Sequence, residues 1–265
     1  MSQVFLIYDK TMGHKGFNDR QCIFWRIALF IIVLSAWLPT TSQATGIIYA
    51  GQFSSASSDA PLPSEWKPLT FDKITSHTRY SLVKDGGTQV IKAESKSSAS
   101  GLIRKIRIDI EKYPIIRWRW KALNVLQKGD VTKKGGDDYA ARVYVTFEYD
   151  PERAGIFETA LINFGRLIYG EDPPISTINY IWANKSPVGT MVQSPYTRLD
   201  KMIVVESGES SLNHWVTEER NVFDDYVMAF GKKPPMISGV AIMTDSDNTK
   251  ESAVAFYGDI LFKQK

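Results

Sequence analysis

Residues 135–150 read GGDDYAARVYVTFEYD, a turn-forming Gly-Gly-Asp-Asp followed by a run of alternating apolar and polar side chains. Because successive side chains of a β-strand point to opposite faces, the odd positions from Tyr139 to Tyr149 share one apolar face. The even positions, which include Asp138, Arg142 and Tyr144, share the other face. The run therefore predicts a central strand with one core face and one polar face suited to a ligand.

The segments on either side of this run also predict strands. Residues 78–83 and 88–94 flank a Lys-Asp-Gly-Gly turn, which indicates a β-hairpin. Residues 115–121 alternate as well, and we expect them to pair with the run at 139–149 as a neighbouring strand. Further strands are predicted at residues 101–110, 177–184, 198–206, 237–244 and 253–262.

Two segments depart from the strand pattern. Residues 152–169 have apolar side chains at helical spacing, and residues 223–230 predict a short helix that ends at Gly231. Regularly spaced strands with only one or two inserted helices indicate an all-β protein. The predicted fold class is an antiparallel β-sandwich, in particular a jelly roll.

The first 44 residues have the features of a secretory signal peptide. Arg20 and Arg26 precede an apolar run at 27–38, and Ser42-Gln43-Ala44 has the small-x-small form of a cleavage site. The alternative is an uncleaved anchor, but the run is shorter than the roughly 20 apolar residues that a span needs. We therefore expect cleavage after Ala44, no stable membrane span afterwards, a flexible lead-in at 45–65 and a single domain at 66–265.

Charge and cysteine content restrict the function of the expected mature chain. The whole chain has 32 basic and 29 acidic residues, and four of the basic and two of the acidic ones precede Thr45. The remaining net charge of +1 argues against nucleic-acid binding through phosphate neutralisation. The only cysteine, Cys22, lies in the signal segment. A mature chain without thiols cannot form disulfides, and it is suited to a bacterial periplasm.

Residues 245–249, Asp-Ser-Asp-Asn-Thr, are the most site-like loop by composition. Their alternating oxygen ligands would suit a hard cation such as calcium. However, Lys250 and Phe256 stand where an EF-hand has its glycine and its bidentate glutamate, so that motif is absent. Asp and Asn side chains also form turns by accepting hydrogen bonds from nearby backbone. Turn formation is the favoured interpretation, and a cation or ligand contact is the alternative.

The polar face of the central strand also has two interpretations. One is a concave sheet face that presents Arg, Asp, Tyr and Trp side chains to a sugar or an anionic glycan. The other is a structural ion-pair network covered by the inserted helix. The candidate ligand-binding residues are Arg119, Asp138, Arg142, Tyr144, Asn179, Tyr180, Trp182, Asp245, Asp247 and Asn248.

No catalytic motif or cofactor motif stands out. Several carboxylates are available for glycoside hydrolysis, among them Asp138, Glu148, Asp245, Asp247 and Asp259, but no spacing selects a pair. A Gly-x-Ser-x-Gly elbow and phosphate-binding glycine loops are lacking, and only two histidines follow the signal segment. We therefore expect no cofactor, and the sequence leaves open whether the protein is an enzyme.

Six short stretches resemble a bacterial family of exported proteins catalogued only as a domain of unknown function. They are SGLIR at 100–104, WRWK at 118–121, GDDYAARVY at 136–144, INYIW at 178–182, IMTDSDNT at 242–249 and YGDI at 257–260. The resemblance covers nearly all of the expected mature chain, which implies one domain. By analogy it implies a jelly roll like that of carbohydrate-binding modules, but no activity or site comes with it.

Taken together, these features predict a periplasmic β-sandwich that binds a saccharide or cell-envelope glycan through the polar face of its central sheet. Arg119, Arg142 and Tyr144 would contact the ligand, and Tyr180 and Trp182 would stack on it or support it. One alternative is an envelope glycan hydrolase with paired carboxylates. The other is a structural or partner-binding envelope protein with no small ligand.

Overall fold

The computed structural model describes residues 46–57, 61–149 and 176–265. Residues 45–265 form one compact unit. The described residues of this unit build two β-sheets, with one α-helix. No helix in the described ranges is long and apolar enough to cross a membrane. The two sheets confirm the predicted all-β sandwich.

The first sheet has six strands. They are β1 (Ile47–Gly51), β3 (Arg79–Asp85), β4 (Thr88–Lys96), β6 (Ile115–Ala122), β11 (Val216–Asn221) and β13 (Ser252–Lys263). Their order is β11-β6-β13-β4-β3, and β1 pairs with the far end of β13. The predicted hairpin is present as β3 and β4, because Gly86 and Gly87 take the positive φ angles that its turn requires.

The second sheet has seven strands. They are β2 (Lys67–Leu69), β5 (Ala99–Ile108), β7 (Arg142–Phe147), β8 (Ser176–Ala183), β9 (Met191–Gln193), β10 (Asp200–Ser207) and β12 (Ile237–Asp245). Their order is β2-β5-β12-β7-β8-β10-β9. All neighbours are antiparallel except β8 and β10, which are parallel. The sheet is therefore mixed rather than purely antiparallel, since the chain crosses back through residues 184–199 between these two strands.

Aromatic side chains join the two sheets. The ring of Trp118 in β6 lies 5.1 Å from that of Tyr180 in β8, and Trp120 lies 5.9 Å from Trp182. All four side chains are almost fully buried. Large buried aromatic rings contribute much of the hydrophobic free energy of a core. The core of the unit therefore lies between β6 and β8 and their neighbours.

The two faces of β7 are divided as its sequence predicts. Val143, Val145 and Phe147 are fully buried in the core between the sheets. Arg142, Tyr144 and Thr146 lie on the opposite face of the second sheet, which we call the outer face. The strand begins at Arg142, three residues after Tyr139, because residues 134–136 form a 3-10 turn and residues 137–141 are irregular.

Three sequence predictions need comment. β6 and β7 are not neighbours, because the connection 123–141 carries the chain from the first sheet to the second. The segment 45–65 contains β1, which is paired with β13 instead of being a flexible lead-in. Its ordering follows from burial, since Ala50 and Phe53 are fully enclosed. The predicted helix at 152–169 lies outside the described residues.

The predicted short helix is present as α1 (Val222–Phe230). Asn221 caps its N-terminus by accepting a hydrogen bond from the backbone of Asp224, and Gly231 ends it with a positive φ of 68°. Asp225 is buried and accepts hydrogen bonds from Tyr180 and Arg220, at 2.8 Å from the Tyr180 hydroxyl. The helix is thereby tied to the core side of β8.

A second apolar cluster covers one end of the outer face. Val131 and Tyr139 from the connection 123–141 pack there against Ile181 in β8 and against Met202 and Val204 in β10. The neighbouring part of the same face carries Arg142, Tyr144 and Thr146 and borders a cavity. The fold thus leaves the polar half of β7 available for a site.

Candidate functional site

A pocket of about 750 Å³ lies on the outer face of the second sheet. Its floor comes from β5, β12, β7 and β8, and its walls come from three chain segments at 69–74, 194–200 and 245–248. The polar residues of its floor and walls include Asp137, Arg142, Tyr144, Thr146, Thr177, Ser194, Asp200, Asp245, Asp247 and Asn248. The volume and the mixed lining are typical of a small-ligand site.

Arg142 is held in one orientation by a bidentate ion pair. Its Nε donates to Asp245 Oδ1 at 2.9 Å, and its Nη2 donates to Asp245 Oδ2. The two side chains are 4% and 3% exposed. Burial raises the pKa of Asp245 to about 7, whereas the Arg142 charge acts in the opposite direction. Two planar groups in this geometry form a rigid unit.

Asp137 and Tyr139 complete the surroundings of Arg142. The Asp137 carbonyl accepts a hydrogen bond from Arg142 Nη2 at 2.5 Å, and its carboxylate lies 3.6 Å from Nη1. The Tyr139 ring centroid is 4.3 Å from the guanidinium carbon, which is a cation–π contact. Burial raises the pKa of Asp137, and the charge of Arg142 opposes this. One buried cation therefore lies between two carboxylates.

The acidic loop at 245–249 forms a turn, as the favoured interpretation predicts. Asp138 stabilises it, because its two carboxylate oxygens accept from the Asn248 amide at 3.1 Å and the Thr249 backbone at 2.6 Å. Oxygens of Asp138, Asp245 and Asp247 lie within 4.8 Å of one another, which is close enough to hold an ion together. Both Asp138 oxygens and both Asp245 oxygens, however, already accept hydrogen bonds. Their geometry therefore suits a hydrogen-bonded turn better than a metal site.

Asp200 contributes a further carboxylate at the first position of β10. Its backbone is in register with Thr177 in β8, which is itself opposite Thr146 in β7. Burial raises the pKa of Asp200 to about 7, and the charge of Arg142 partly opposes the rise. The pKa of Asp247 is also raised, chiefly by burial. The pocket thus places several carboxyl groups where their ionisation is unfavourable.

Two exposed aromatic side chains stand at the rim. Phe71 is 38% exposed and Tyr196 is 52% exposed, and both border the pocket. The Tyr196 hydroxyl donates to the Asn248 side chain at 2.9 Å, which fixes the ring against the 245–248 wall. The Lys134 ammonium group lies 4.7 Å from the Tyr196 ring centroid. The rim therefore offers flat apolar surfaces beside a polar floor.

The structure brings together half of the residues predicted for the site. Arg142, Tyr144, Asp245, Asp247 and Asn248 all border the pocket. Asp138 lies behind them, where it fixes the 246–249 turn.

The other predicted residues lie elsewhere. Tyr180 and Trp182 lie on the core side of β8, where packing against Trp118 and Trp120 prevents them from stacking on a ligand. Asn179 shares the outer face but is fully buried, in register with Tyr144. These three residues therefore do not border the pocket.

Arg119 belongs to the first sheet, on the opposite side of the core from the pocket. Its guanidinium carbon lies 4.5 Å from the Trp215 ring centroid, and its backbone is in register with Thr217 in β11. The cationic side chains of Arg117, Arg119 and Lys121 in β6 therefore lie on the face of the first sheet that points away from the core. Arg119 is not part of the pocket.

Sequence reasoning missed the rim and the Asp200 wall. Phe71 follows the short strand β2, Tyr196 follows the short strand β9, and Asp200 begins β10. No local motif marks these three residues. The composition of residues 194–200, Ser-Pro-Tyr-Thr-Arg-Leu-Asp, was the available signal. A loop that combines an aromatic residue, hydroxyls and a carboxylate has the composition of a ligand-contacting segment.

Several solved structures have a similar overall arrangement. A mutant of the family 29 carbohydrate binding module CBM29-2 matches with a TM-score of 0.32 and 11% identity, over 82% of this chain and 91% of that one. The carbohydrate recognition domain of Emp47p has a TM-score of 0.43 and 10% identity, over 82% and 94%. The Trichoderma harzianum endoglucanase 3 of family GH12 has 0.37 and 7%, over 77% and 99%. At these low TM-scores, none of the three carries an argument about function.

The chain was also compared by sequence with curated proteins and with family models. No curated protein matches the chain. A family model described as "Protein of unknown function (DUF3047)" matches residues 64–261, which is nearly all of the compact unit. The chain therefore belongs to the DUF3047 family.

Proposed function

We propose that this protein binds a saccharide in the outer-face pocket and that it does so in the periplasm, after export by its first 44 residues. The observation that carries the proposal is the pocket itself. It combines a rigid polar floor, built on the Arg142–Asp245 pair, with two exposed aromatic rings at its rim.

This combination matches the surface of a sugar. A pyranose has apolar faces formed by C–H groups and an edge of hydroxyls, so it is recognised by aromatic rings together with fixed donors and acceptors. Phe71 and Tyr196 would contact the faces. Tyr144, Thr146 and Thr177 would offer hydroxyls to the edge. Because Arg142 is already oriented by Asp245, little side-chain entropy would be lost on binding.

Titration calorimetry with a panel of neutral, acidic and amino oligosaccharides tests the proposal. We expect one sugar class to bind, and we expect Tyr196→Ala and Phe71→Ala to weaken that binding about tenfold or more each, because each removes one stacking surface. Tyr49→Ala is the matched control, since Tyr49 is 39% exposed but belongs to β1 in the first sheet.

The outcomes separate the proposal from its main rival. Equal binding by the two rim variants and the wild type would place the ligand elsewhere. Binding of no oligosaccharide at all would favour a structural or partner-binding role.

A glycan hydrolase is the second candidate, and one observation favours it. Asp200 and Asp245 border the same pocket, and the pKa of each is raised to about 7, which is the range of a general acid. Asp245 is engaged by Arg142, however, so Asp200 is the better candidate acid. Incubation of the bound oligosaccharide with wild-type and with Asp200→Asn protein, followed by analysis of the products, tests for hydrolysis. Cleavage by the wild type that is lost in the variant would establish the hydrolase.

A further inference from the structure

The pocket lining has an excess of negative charge. It contains the carboxylates of Asp72, Asp137, Asp200, Asp245 and Asp247 against the cations Lys73 and Arg142, a formal charge of −3 when all are ionised. Lys73 is exposed at the rim. Arg142 is the buried cation of the lining, and it is already bonded to Asp245 and to the Asp137 carbonyl. An anionic sugar would therefore face uncompensated carboxylates, which argues against a uronate ligand.

Two buried carboxylate oxygens of the lining lack a hydrogen-bond donor within the described residues. They are Asp137 Oδ1 and Asp200 Oδ1. Asp137 is only 5% exposed, and its Oδ1 lies 3.6 Å from Arg142 Nη1. The polar side chains of Tyr139 beside Asp137 and of Asn179 beside Asp200 favour the ionised carboxylates. A buried acceptor without a donor is unfavourable, and more so when it is charged. Both carboxyl groups border the pocket, so a ligand that brings donors to them would stabilise their ionised form.

The groups that face Asp200 come from three elements. Arg142 and Tyr144 approach it from β7, Asn179 from β8, and Asp137 from the segment before β7. Arg142 and Asn179 favour the ionised carboxylate, whereas burial and Asp137 oppose it more strongly and raise the pKa to about 7. Below that pH the carboxyl group holds a proton in the free protein. A positive ligand group would displace this proton.

We propose that the ligand carries a protonated amine and is an amino sugar with a free amino group, held by Asp200 and Asp137 as its counter-ions. This inference rests on the saccharide-binding function proposed above. An ammonium group has three donors and one compact charge, so it suits a lining that carries more carboxylates than cations. The rings of Phe71 and Tyr196 at the rim receive the pyranose.

The composition of the pocket distinguishes this ligand from other cations. A linear polyamine would not use the hydroxyls of Thr146, Thr177 and Ser194, which border the pocket beside the carboxylates. A divalent ion requires several convergent free oxygens. Of the three carboxylates that converge, those of Asp138 and Asp245 have both oxygens occupied by internal donors. An amino sugar uses the charge, the hydroxyls and the aromatic rim together.

Titration calorimetry at pH 6 with four probes tests the inference. The probes are the tetramers of glucosamine, of N-acetylglucosamine and of glucose, together with spermidine. We expect the glucosamine tetramer to bind at least tenfold more tightly than the other three. We also expect its binding heat to depend on the ionisation enthalpy of the buffer, since the displaced carboxyl proton passes to the buffer.

Charge-removing variants identify the counter-ions. Asp200→Asn should lower the affinity for the glucosamine tetramer at least tenfold and abolish the buffer dependence. Asp137→Asn should weaken binding as well, and it serves as the second variant should Asp200→Asn not fold. Glu219→Gln should have no effect, because Glu219 pairs with Lys263 on the first sheet. Melting curves of each variant confirm folding.

Each contrary result has a distinct meaning. Equal affinity for all three tetramers would overturn the amine inference and leave saccharide binding in place. Equal affinity for spermidine and the glucosamine tetramer would show that the sugar rings are not recognised, and it would overturn the inference that the ligand is a sugar. Binding of none of the tetramers would overturn the amine inference, and the wider oligosaccharide panel would then show whether any saccharide binds. Unchanged glucosamine affinity in Asp200→Asn and in Asp137→Asn would show that these carboxylates are not the counter-ions.

Discussion

Arg142 is the residue on which the polar floor of the pocket depends. It is 4% exposed and engages Asp245, Asp137 and the Tyr139 ring at the same time. A buried ion pair of this kind contributes little net stability, yet removal of one partner leaves the other charge buried and unpaired. Arg142 is therefore a structural residue as well as part of the proposed binding surface. The sequence left open whether the polar face is an ion-pair network or a ligand site, and Arg142 has a place in both interpretations.

Replacement of this side chain tests the structural role. We expect Arg142→Ala to lower the free energy of unfolding by about 3–5 kcal/mol, since Asp245 would lose its cation while remaining buried. Urea unfolding followed by tryptophan fluorescence measures the change. Arg117→Ala, an exposed arginine in β6, is the control and should stay within about 0.5 kcal/mol of the wild type. A small effect of Arg142→Ala would mean that the floor relaxes to solvate Asp245.

At the scale of elements, β5 and β12 approach each other unusually closely beside the pocket. A Cβ atom on Gly101 would lie 2.8 Å from the Ile242 carbonyl oxygen and 3.4 Å from the Leu69 side chain. The nearer atom belongs to the backbone of β12, which cannot rotate away as a side chain does. The glycine in this strand is therefore explained by close strand packing rather than by a turn.

A single methyl group tests that approach. We expect Gly101→Ala to destabilise the protein by about 1–3 kcal/mol, because the paired strands must separate to admit it. Gly135→Ala is the matched control, since a Cβ atom on Gly135 would have no neighbour within 4 Å and the φ of this residue is not positive. Thermal and urea unfolding of both variants measure the difference. Equal stabilities would show that β5 and β12 can shift without cost.

For the whole molecule, the buried carboxyl group of Asp200 predicts how stability depends on pH. Its pKa is raised to about 7 in the folded protein, above that of an unfolded chain. The folded state therefore binds more protons than the unfolded state between about pH 4 and 7. The stability that this group contributes is present below the unfolded pKa and is lost as the pH rises through about 7.

We expect the contribution of Asp200 to the free energy of unfolding to fall by about 1 kcal/mol between pH 6 and pH 8. Asp200→Asn should have a smaller decline, because its amide does not ionise. Urea unfolding at several pH values gives the two profiles, with Glu219→Gln as the control that keeps the wild-type slope. Parallel profiles for Asp200→Asn and the wild type would contradict the raised pKa of Asp200.

Metal removal is a second test on the whole molecule. Because both oxygens of Asp138 and both of Asp245 accept hydrogen bonds within the protein, we expect a chelator to leave the melting temperature unchanged and added calcium to have no effect. A fall with chelator that calcium reverses would instead show that the Asp138–Asp245–Asp247 group holds an ion.

Local patterns were sufficient for much of the fold and part of the site. The alternation in β7 assigned Val143 to the core and Arg142 to the polar face, since the side-chain period of a strand is set by backbone geometry alone. The Gly86-Gly87 turn and the helix end at Gly231 are also local signals, because both depend on the backbone conformation of one or two residues.

The side of the sheet on which a residue lies was decided only by the tertiary structure. Alternation correctly grouped Tyr180 with Trp182. Almost every residue of β8 is buried, however, whichever face of the sheet it lies on. The sequence pattern therefore could not show which face of β8 lies towards the core. Likewise, β6 pairs with β13 and β11 rather than β7, because strand partners are chosen by long-range packing.

The pocket is the clearest case of this division. The sequence by itself determined that Arg142 and Tyr144 belong to a polar face, because the alternation along their strand carries that information residue by residue. Only the tertiary structure brought Phe71, Tyr196 and Asp200 to that face, because three segments distant in sequence must meet over one sheet to form its walls. Strand faces follow from local geometry, whereas pocket walls follow from the global packing of the chain.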